Sequence, residues 1–574
     1  MKAKPFLHVI FAKNYFSRSI SHISPFHSHL SHNNHSLQII RLINPKNILK
    51  KLVPVKYFAE PTLTRCFSSK EESYFAAIGV STDEVPREFT SQQVTDILSA
   101  NEKTINSSGR INTIECNQLP SNDPIEDRLR VSRIVLDEDG NDVDPVMLFA
   151  VFDGHGGRFC ADTVTRRLFK YIALSLAKDP MALVTQERID GIVEDLYLCP
   201  NIRESVALTY PSVSDELNKF LAKQDIEALK RYATHLQQNP LQTMEEKLTS
   251  SFLHCDQDLS NEIQSGIASA ANKVLLHYYL SLAVSGCCVA LIIVQGDNCF
   301  IASTGDCRAV LGFREASDSR IPVTKSIDLN SEHNSDNPAE IKRLLAAHPK
   351  EDRKDIVRND RLLSHLMPFR AFGDFCYKWE VDKIRRAGLT RAFGSQIIPP
   401  NYRTPPYLIA DPDIKRISLS CRTPNTVGSR FIVMATDGLW EQFQSSRCVI
   451  KQIFRHEAEF DEEKPDLSLS KVNKSAALED DEIYEDMFMP SSPNDKKAEN
   501  AENLSETDLV IDPNRSTYLL RAALGTNPSP ENNMDDPMDR FRNQHRRLVT
   551  FLTLPQHLVR NFRDDISVIV LKLD

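Results

Sequence analysis

The stretch Leu148-Phe-Ala-Val-Phe-Asp-Gly-His-Gly-Gly157 constrains this chain more than any other. An apolar run from Leu148 to Phe152 has the length and composition of a buried strand. It stops at Asp153, and glycines then flank His155 on both sides. Glycine lets the backbone turn tightly and approach a ligand closely. A core strand thus delivers a carboxylate and an imidazole to a turn, where they can hold a hard cation and supply a proton. Taken singly, Asp-Gly is an ordinary turn dipeptide. The pattern recurs, however. Phe431 to Ala435 is a second apolar run, closed by Asp437-Gly438, and Arg563-Asp-Asp565 carries a carboxylate pair into a last apolar run ending near Lys572. Glu126-Asp127 leads toward another predicted strand, and Asp306 and Asp374 each follow a glycine at a predicted turn. Several carboxylates without thiolates suit Mg2+ or Mn2+ better than zinc or copper. Clustered acids repel one another unless cations offset them.

The segments around these turns read as follows. Thr90 to Ala100 is predicted as a capped helix with Val94, Ile97 and Leu98 on one face. Asn117 to Asp127 is rich in Asn and Pro and reads as a loop. Val164, Leu168, Tyr171 and Ile172 place a helix directly after the Asp153 turn. Residues 180–265 carry mixed helical patterns without legible chemistry. Val284–Val294 and Cys299–Phe313 are predicted as two strands of a hairpin turning at Gly296-Asp297-Asn298. Asn337-Pro-Ala-Glu340 has the form of a capping box opening a helix through Ile341 and Leu344.

Both the beginning of the chain and one internal stretch differ in composition from the rest. No Asp or Glu precedes Glu60, whereas Lys2, Lys4, Lys13, Arg18, Arg41, Lys46, Lys50, Lys51 and Lys56 are spread among Ser, His, Ile and Leu. This is the composition of a mitochondrial transit peptide, so residues 1–70 are assigned to targeting and a flexible N-terminus, and 85–574 to a catalytic domain. Residues from about 457 to 512 are acidic and mixed with Ser, Asn and Pro, which predicts a disordered surface insertion. A net charge of −9 gives no reason to expect nucleic acid. The longest apolar runs, such as Val289–Val294, fall well short of the ~20 residues that cross a bilayer, so no transmembrane segment is expected. The 12 cysteines include no Cys-x-x-Cys pair, as suits a reduced chain without a zinc ribbon.

Taken in order, Glu126-Asp127, Asp153-Gly-His-Gly-Gly157, Thr304-Gly-Asp-Cys-Arg308, Arg370-Ala-Phe-Gly-Asp374, Asp437-Gly-Leu-Trp440 and Arg563-Asp-Asp565 resemble the type 2C metal-dependent serine/threonine protein phosphatases. The resemblance runs from about Phe89 to the C-terminus. It implies an α+β fold, a central β-sandwich of two antiparallel sheets flanked by helices, with two or more Mg2+ or Mn2+ ions in a cleft at one edge. It implies that Asp153 bridges two ions, that Asp437 and Asp564 complete one site, and that Glu126 and the Gly154 carbonyl serve the other. Asp374 and Asp306 match acids tied to a further ion or its waters. His155 matches the proposed general acid for the leaving serine oxygen, and Asp127 joins Asp153 and His155 as a catalytic candidate. Water attacks directly in this family, so no phosphoenzyme is expected.

Asn117-Gln-Leu-Pro120, Pro124-Ile-Glu-Asp-Arg128, Leu366-Met-Pro-Phe-Arg370 and Ile398-Pro-Pro-Asn-Tyr402 resemble, within that family, its pyruvate dehydrogenase phosphatase branch. That resemblance implies a matrix enzyme acting on the phosphorylated E1 component of pyruvate dehydrogenase. It also implies docking on the lipoyl domain of the E2 core, with Ca2+ at that interface, and pairing with a regulatory subunit. The chain has no EF-hand loop, so the expected Ca2+ site needs the partner. Asn122 stands where the family often has a phosphate-holding Arg. A neutral amide holds phosphate less well than a guanidinium, so docking is expected to supply the missing affinity. The alternatives are a phosphatase for another mitochondrial phosphoprotein, or an inactive binding protein on the same fold. Inactive relatives typically lose a metal-binding acid, and every matched acid is present here.

Overall fold

The computed structural model describes residues 89–136, 145–199, 214–317, 322–462, 512–525 and 537–574. The predicted targeting segment 1–70 and most of the predicted acidic insertion lie outside them. Within the described residues two antiparallel sheets pack face to face. The first has the order β1-β2-β15-β14-β8-β9. Its strands are β1 (Lys103–Asn106), β2 (Ile111–Leu119), β8 (Arg308–Glu315), β9 (Val323–Asp328), β14 (Thr426–Ala435) and β15 (Ile566–Leu573). The second has the order β13-β7-β6-β4-β3-β5, with β12 also pairing to β6. It comprises β3 (Arg128–Ile134), β4 (Val146–His155), β5 (Val193–Leu198), β6 (Gly286–Gln295), β7 (Asn298–Thr304), β12 (Phe372–Gly373) and β13 (Asp413–Ser418). A small ribbon of β10 (Val357–Arg358) and β11 (Arg361–Leu362) stands apart.

The sandwich follows from strands whose two faces are both buried, which is why they read as continuous apolar runs rather than alternating ones. In β4, Phe149 and Val151 point between the sheets, with Ala290 and Ile292 of β6, Ile432 and Met434 of β14, and Ile569 and Leu571 of β15. Leu148, Ala150 and Phe152 point the other way, onto the helices Phe159–Leu176 and Met244–Ser269. Val433, Ala435, Val568 and Val570 cover the outer face of the first sheet against Ser446–Glu462 and Arg515–Gly525. The predicted α+β sandwich is therefore the observed architecture.

The local expectations fare differently. Thr90 caps Ser91–Leu98, as predicted, and the structure adds a reciprocal box with Gln93. Asn117–Leu119, predicted as loop, completes β2 and pairs with β15. The predicted strand Cys299–Phe313 is two strands in different sheets: the chain breaks at Gly305, whose φ of 102° no β-branched or bulky residue adopts easily, and β8 starts at Arg308. Asn337 caps Pro338–Ala347 through its bond from the Ala339 N–H. Glu340 does not close the expected box; it accepts from Arg370 (2.5 Å) and Arg343 (2.9 Å) instead, because burial makes a charged partner worth more than a capping bond. Glu457, at the start of the predicted insertion, belongs to the helix Ser446–Glu462 and pairs with Lys572 at 2.9 Å.

The unread stretch 180–265 contributes β5 and two long helices, Ser214–Gln238 and Met244–Ser269. Buried charges tie these helices to the helix behind β4. Arg167 is fully buried and donates to Asp225 and to Glu262, each at 2.6 Å, while Arg166 reaches Asp225 at 3.2 Å. Removing one partner of a buried pair strands the others without compensation. Arg167→Ala is expected to cost roughly 3–5 kcal/mol in urea unfolding. Burial opposes the Asp225 charge, but the two arginines outweigh it and hold its carboxyl below the usual range. Its contribution to stability is present above the ordinary aspartate value and fades as pH falls through the depressed one.

Candidate active site

Two strand ends and three loops meet at one edge of the sandwich. The β4–β6 ladder continues past Phe152: Asp153 pairs with Cys288, Gly154 with Cys287 and His155 with Gly286. Sheet pairing, rather than a free loop, thus fixes Asp153 and His155. Across the sandwich, β14 ends at Ala435 and Asp437 opens the short helix Asp437–Trp440. Asp564 lies two residues before β15. Glu126 and Asp127 precede β3, and Asp306 lies in the break between β7 and β8.

The predicted acids share one electrostatic environment. Burial first, and then Asp437, Asp127, Asp306 and Asp564, push the Asp153 carboxyl well above its ordinary value. Asp437 is pushed up by burial and then by Asp564 and Asp306. Glu126 is pushed up to about 7 by burial and by Asp565 and Asp564, against Arg560. Burial also raises Asp564 to about 6, although the Arg560 guanidinium opposes it. Asp127 is raised by burial and by Asp565 and Asp564, and accepts a hydrogen bond from the Thr436 hydroxyl at 2.8 Å. Burial raises Asp306, and its Oδ1 is buried without a hydrogen-bond partner.

These carboxylates are near enough to raise one another, yet among the described residues no three of them form a ready-made coordination set. Three are turned to partners of their own: Asp564 to Arg560, Asp127 to Thr436, Asp374 to His155. The donor set still fits a hard divalent cation. It is all oxygen, its members are held in an energetically unfavourable proximity that positive charge would relieve, and the Asp306 oxygen has an unmet need.

His155 Nε2 lies 2.5 Å from Asp374 Oδ2. Burial works against the charged imidazolium, but Asp374 overcomes it and the histidine's pKa is raised. Asp374 has a left-handed backbone, φ 49° and ψ 46°, and its N–H donates to Ser285 O at 2.9 Å. The pair sits directly over Gly286: a Cβ there would fall 2.1 Å from Asp374 Oδ2 and 2.2 Å from His155 Nε2. Gly286→Ala is therefore expected to separate the two side chains. Turnover of a phosphoserine peptide should fall roughly 10²-fold, the cost of about an ångström of misplacement, while circular dichroism shows an unchanged fold.

Asn122 lies close to the acids, but its side chain is engaged. Its Nδ2 donates to Asp565 Oδ2 at 3.0 Å and its N–H to Asp565 Oδ1 at 2.8 Å. Asp565 also takes the N–H groups of Ser121 (2.5 Å) and Glu126 (2.8 Å) and is 1% exposed. It organises the whole loop carrying Glu126. Sequence reasoning noted Asp565 only as half of a pair and missed Thr436 and Arg560. The Arg560–Asp564 spacing of four residues was the available signal.

A strand-borne histidine paired to an acid, beside buried carboxylates suited to divalent cations, is the equipment of a metal-dependent phosphatase. A family profile described as Protein phosphatase 2C matches residues 203–477. The chain is 33% identical over 507 residues to the mitochondrial pyruvate dehydrogenase (acetyl-transferring) phosphatase 2 of Homo sapiens, covering 85% of this chain and 84% of that protein. It is 31% identical over 544 residues to phosphatase 1 of the same description from Bos taurus, covering 90% of each. A Saccharomyces cerevisiae protein of that description is 25% identical, over 79% of this chain and 67% of that one. The chain belongs to the protein phosphatase 2C family, whose members are metal-dependent serine/threonine phosphatases. Within that family its similarity is to proteins named as mitochondrial pyruvate dehydrogenase phosphatases.

Proposed function

We propose that this protein is a mitochondrial phosphatase that removes phosphate from serine on the E1 component of pyruvate dehydrogenase and so reactivates it. The observation that carries this is likeness over most of both chains to proteins named for that activity, together with a complete set of acids at the site. Asp153, Asp437 and Asp564 would hold one Mg2+ or Mn2+ ion, and Asp153, Glu126 and the Gly154 carbonyl a second, with Asp306 and Asp374 serving a further ion or its waters. When bound, such cations acidify water and offset charge on the phosphoryl oxygens.

The chain's own groups account for the rest. His155, whose Nε2 is engaged by Asp374 in a contact that favours the charged ring, is the proton donor for the departing serine oxygen. Asp127 fastens the Glu126 loop to the end of β14 through Thr436. Asp565 fixes the same loop to the start of β15. Because Asn122 is spent on Asp565, this loop offers no side chain dedicated to phosphate. Affinity for E1 is then assigned to docking on the lipoyl domain of the E2 core, with Ca2+ at the shared surface and a regulatory subunit as a further partner. Among the described residues no helix is long and apolar enough to cross a membrane. The test is phosphate release from phosphorylated E1, with and without the E2 core, in Mg2+, Mn2+ and added Ca2+. Release from E1 that is accelerated by the core supports the reading. Indifference to E1, with turnover of another mitochondrial phosphoprotein, overturns it.

A further inference from the structure

The segment Arg370–Lys378 brings Asp374 to His155, and a helix distant in sequence holds that segment. Asp256, on Met244–Ser269, accepts the Gly373 N–H at Oδ1, 2.8 Å away. Lys378 Nζ donates to both Asp256 carboxylate oxygens and to the Ala371 carbonyl, each at 2.8 Å. Their side chains are only 13% and 9% exposed. One turn earlier on the same helix face, Phe252 packs against Phe372 with ring centroids 5.2 Å apart. Within this segment the helix's Asp256 thus binds the Gly373 N–H and Lys378 binds the Ala371 carbonyl, while the β6 ladder and Ser285 hold residues 372–374 from the other side.

This restraint acts at the point where it matters. Asp374 is the first residue after the clamped N–H, and its backbone is left-handed, a region few residues other than glycine, asparagine and aspartate adopt. The β12–β6 ladder and the Ser285 bond hold this backbone from one side only, so that losing the clamp would let the segment shift and move the carboxylate off His155. We propose that Asp256 and Lys378 are positioning residues: by fixing residues 371–373 they hold Asp374 against His155 and so set the proton-donating half of the reaction. The helix Met244–Ser269, which carries no motif of its own, then becomes part of the active site's support. This rests on the reading of His155 as the proton donor.

The test is a leaving-group comparison in the full chain. Asp256→Asn keeps the side chain's size and removes the charge that holds Lys378. The double variant Asp256→Asn with Lys378→Met removes both ionic partners, so that neither is left buried alone. Each is expected to lower kcat on a phosphoserine peptide roughly 10–100-fold, the usual effect of a supporting partner. On p-nitrophenyl phosphate, whose leaving group needs little protonation, the loss should stay within about threefold. Adding Asp256→Asn to His155→Ala should change kcat by less than about twofold, since both act through one proton. Equal losses on the two substrates, or losses that multiply with that of His155→Ala, would mean that the pair only stabilises the fold and would overturn the proposal. If His155→Ala itself shows no difference between substrates, the proton-donor reading falls and the clamp falls with it. A difference in His155→Ala that is absent from Asp256→Asn sinks the clamp alone.

Discussion

Asp437→Asn and Asp564→Asn are each expected to reduce phosphoserine turnover to below about 1% of wild type, since losing even a supporting partner of a metal site typically costs roughly 10–100-fold. The fold should survive both changes. Asp437 is held up by burial and by the charges of Asp564 and Asp306, so its carboxylate is a strained element of the metal-free protein. Removing that charge relieves repulsion, and the Tm of Asp437→Asn without metal should equal or exceed that of wild type. Asp564 is partly neutralised by Arg560, so the Tm of Asp564→Asn should stay close to wild type. Metal should separate the proteins. At a hundredfold excess over Kd a cation stabilises its binder by about 2.7 kcal/mol, and thermal melts of wild type in Mg2+ should show that gain. Variants that melt and turn over like wild type at low Mg2+ would remove these residues from the cation site.

His155→Ala carries the second large effect. Turnover of phosphoserine should fall roughly 10²–10⁴-fold, the range for a lost general acid. Serine oxygen leaves as a strong base and needs the proton; p-nitrophenolate does not. The loss on p-nitrophenyl phosphate should therefore be far smaller. The structure gives His155 the means: a carboxylate at 2.5 Å that favours its charged form and a ladder position that fixes its backbone. Parallel steady-state kinetics on the two substrates decide the matter, and equal losses would reduce His155 to a residue that only orders the site.

The acid-bearing strand ends were legible in the sequence because an apolar run closed by Asp-Gly combines two independent signals, burial and turning, at adjacent residues. The strands over Leu148–Phe152 and Phe431–Ala435 both stand where they were predicted, but the first runs on through His155 instead of turning at Asp153, and Asp437-Gly438 opens a short helix. The break at Gly305 was not legible, since one glycine within an apolar run does not say that the chain changes sheets. Nor was the role of Asn122, because only the folded chain brings Asp565 within reach of its amide. Asp256 was hidden most completely. It lies on an ordinary amphipathic helix, and its partner N–H is 117 residues away in sequence. Local patterns report what a segment is; they carry little about which distant backbone group a buried carboxylate will hold.

Equilibrium Mn2+ binding, counted by electron paramagnetic resonance in wild type and in Asp153→Asn, shows whether these acids hold cations. The buried acids around Asp153 are assigned to divalent cations, and Asp437, Asp127, Asp306 and Asp564 all act on the Asp153 carboxyl. The predicted result is two or more Mn2+ ions bound per wild-type chain, displaced by Mg2+, with at least one lost from Asp153→Asn while its circular dichroism is unchanged. The same number and affinity of Mn2+ ions in both proteins would remove Asp153 from the cation site.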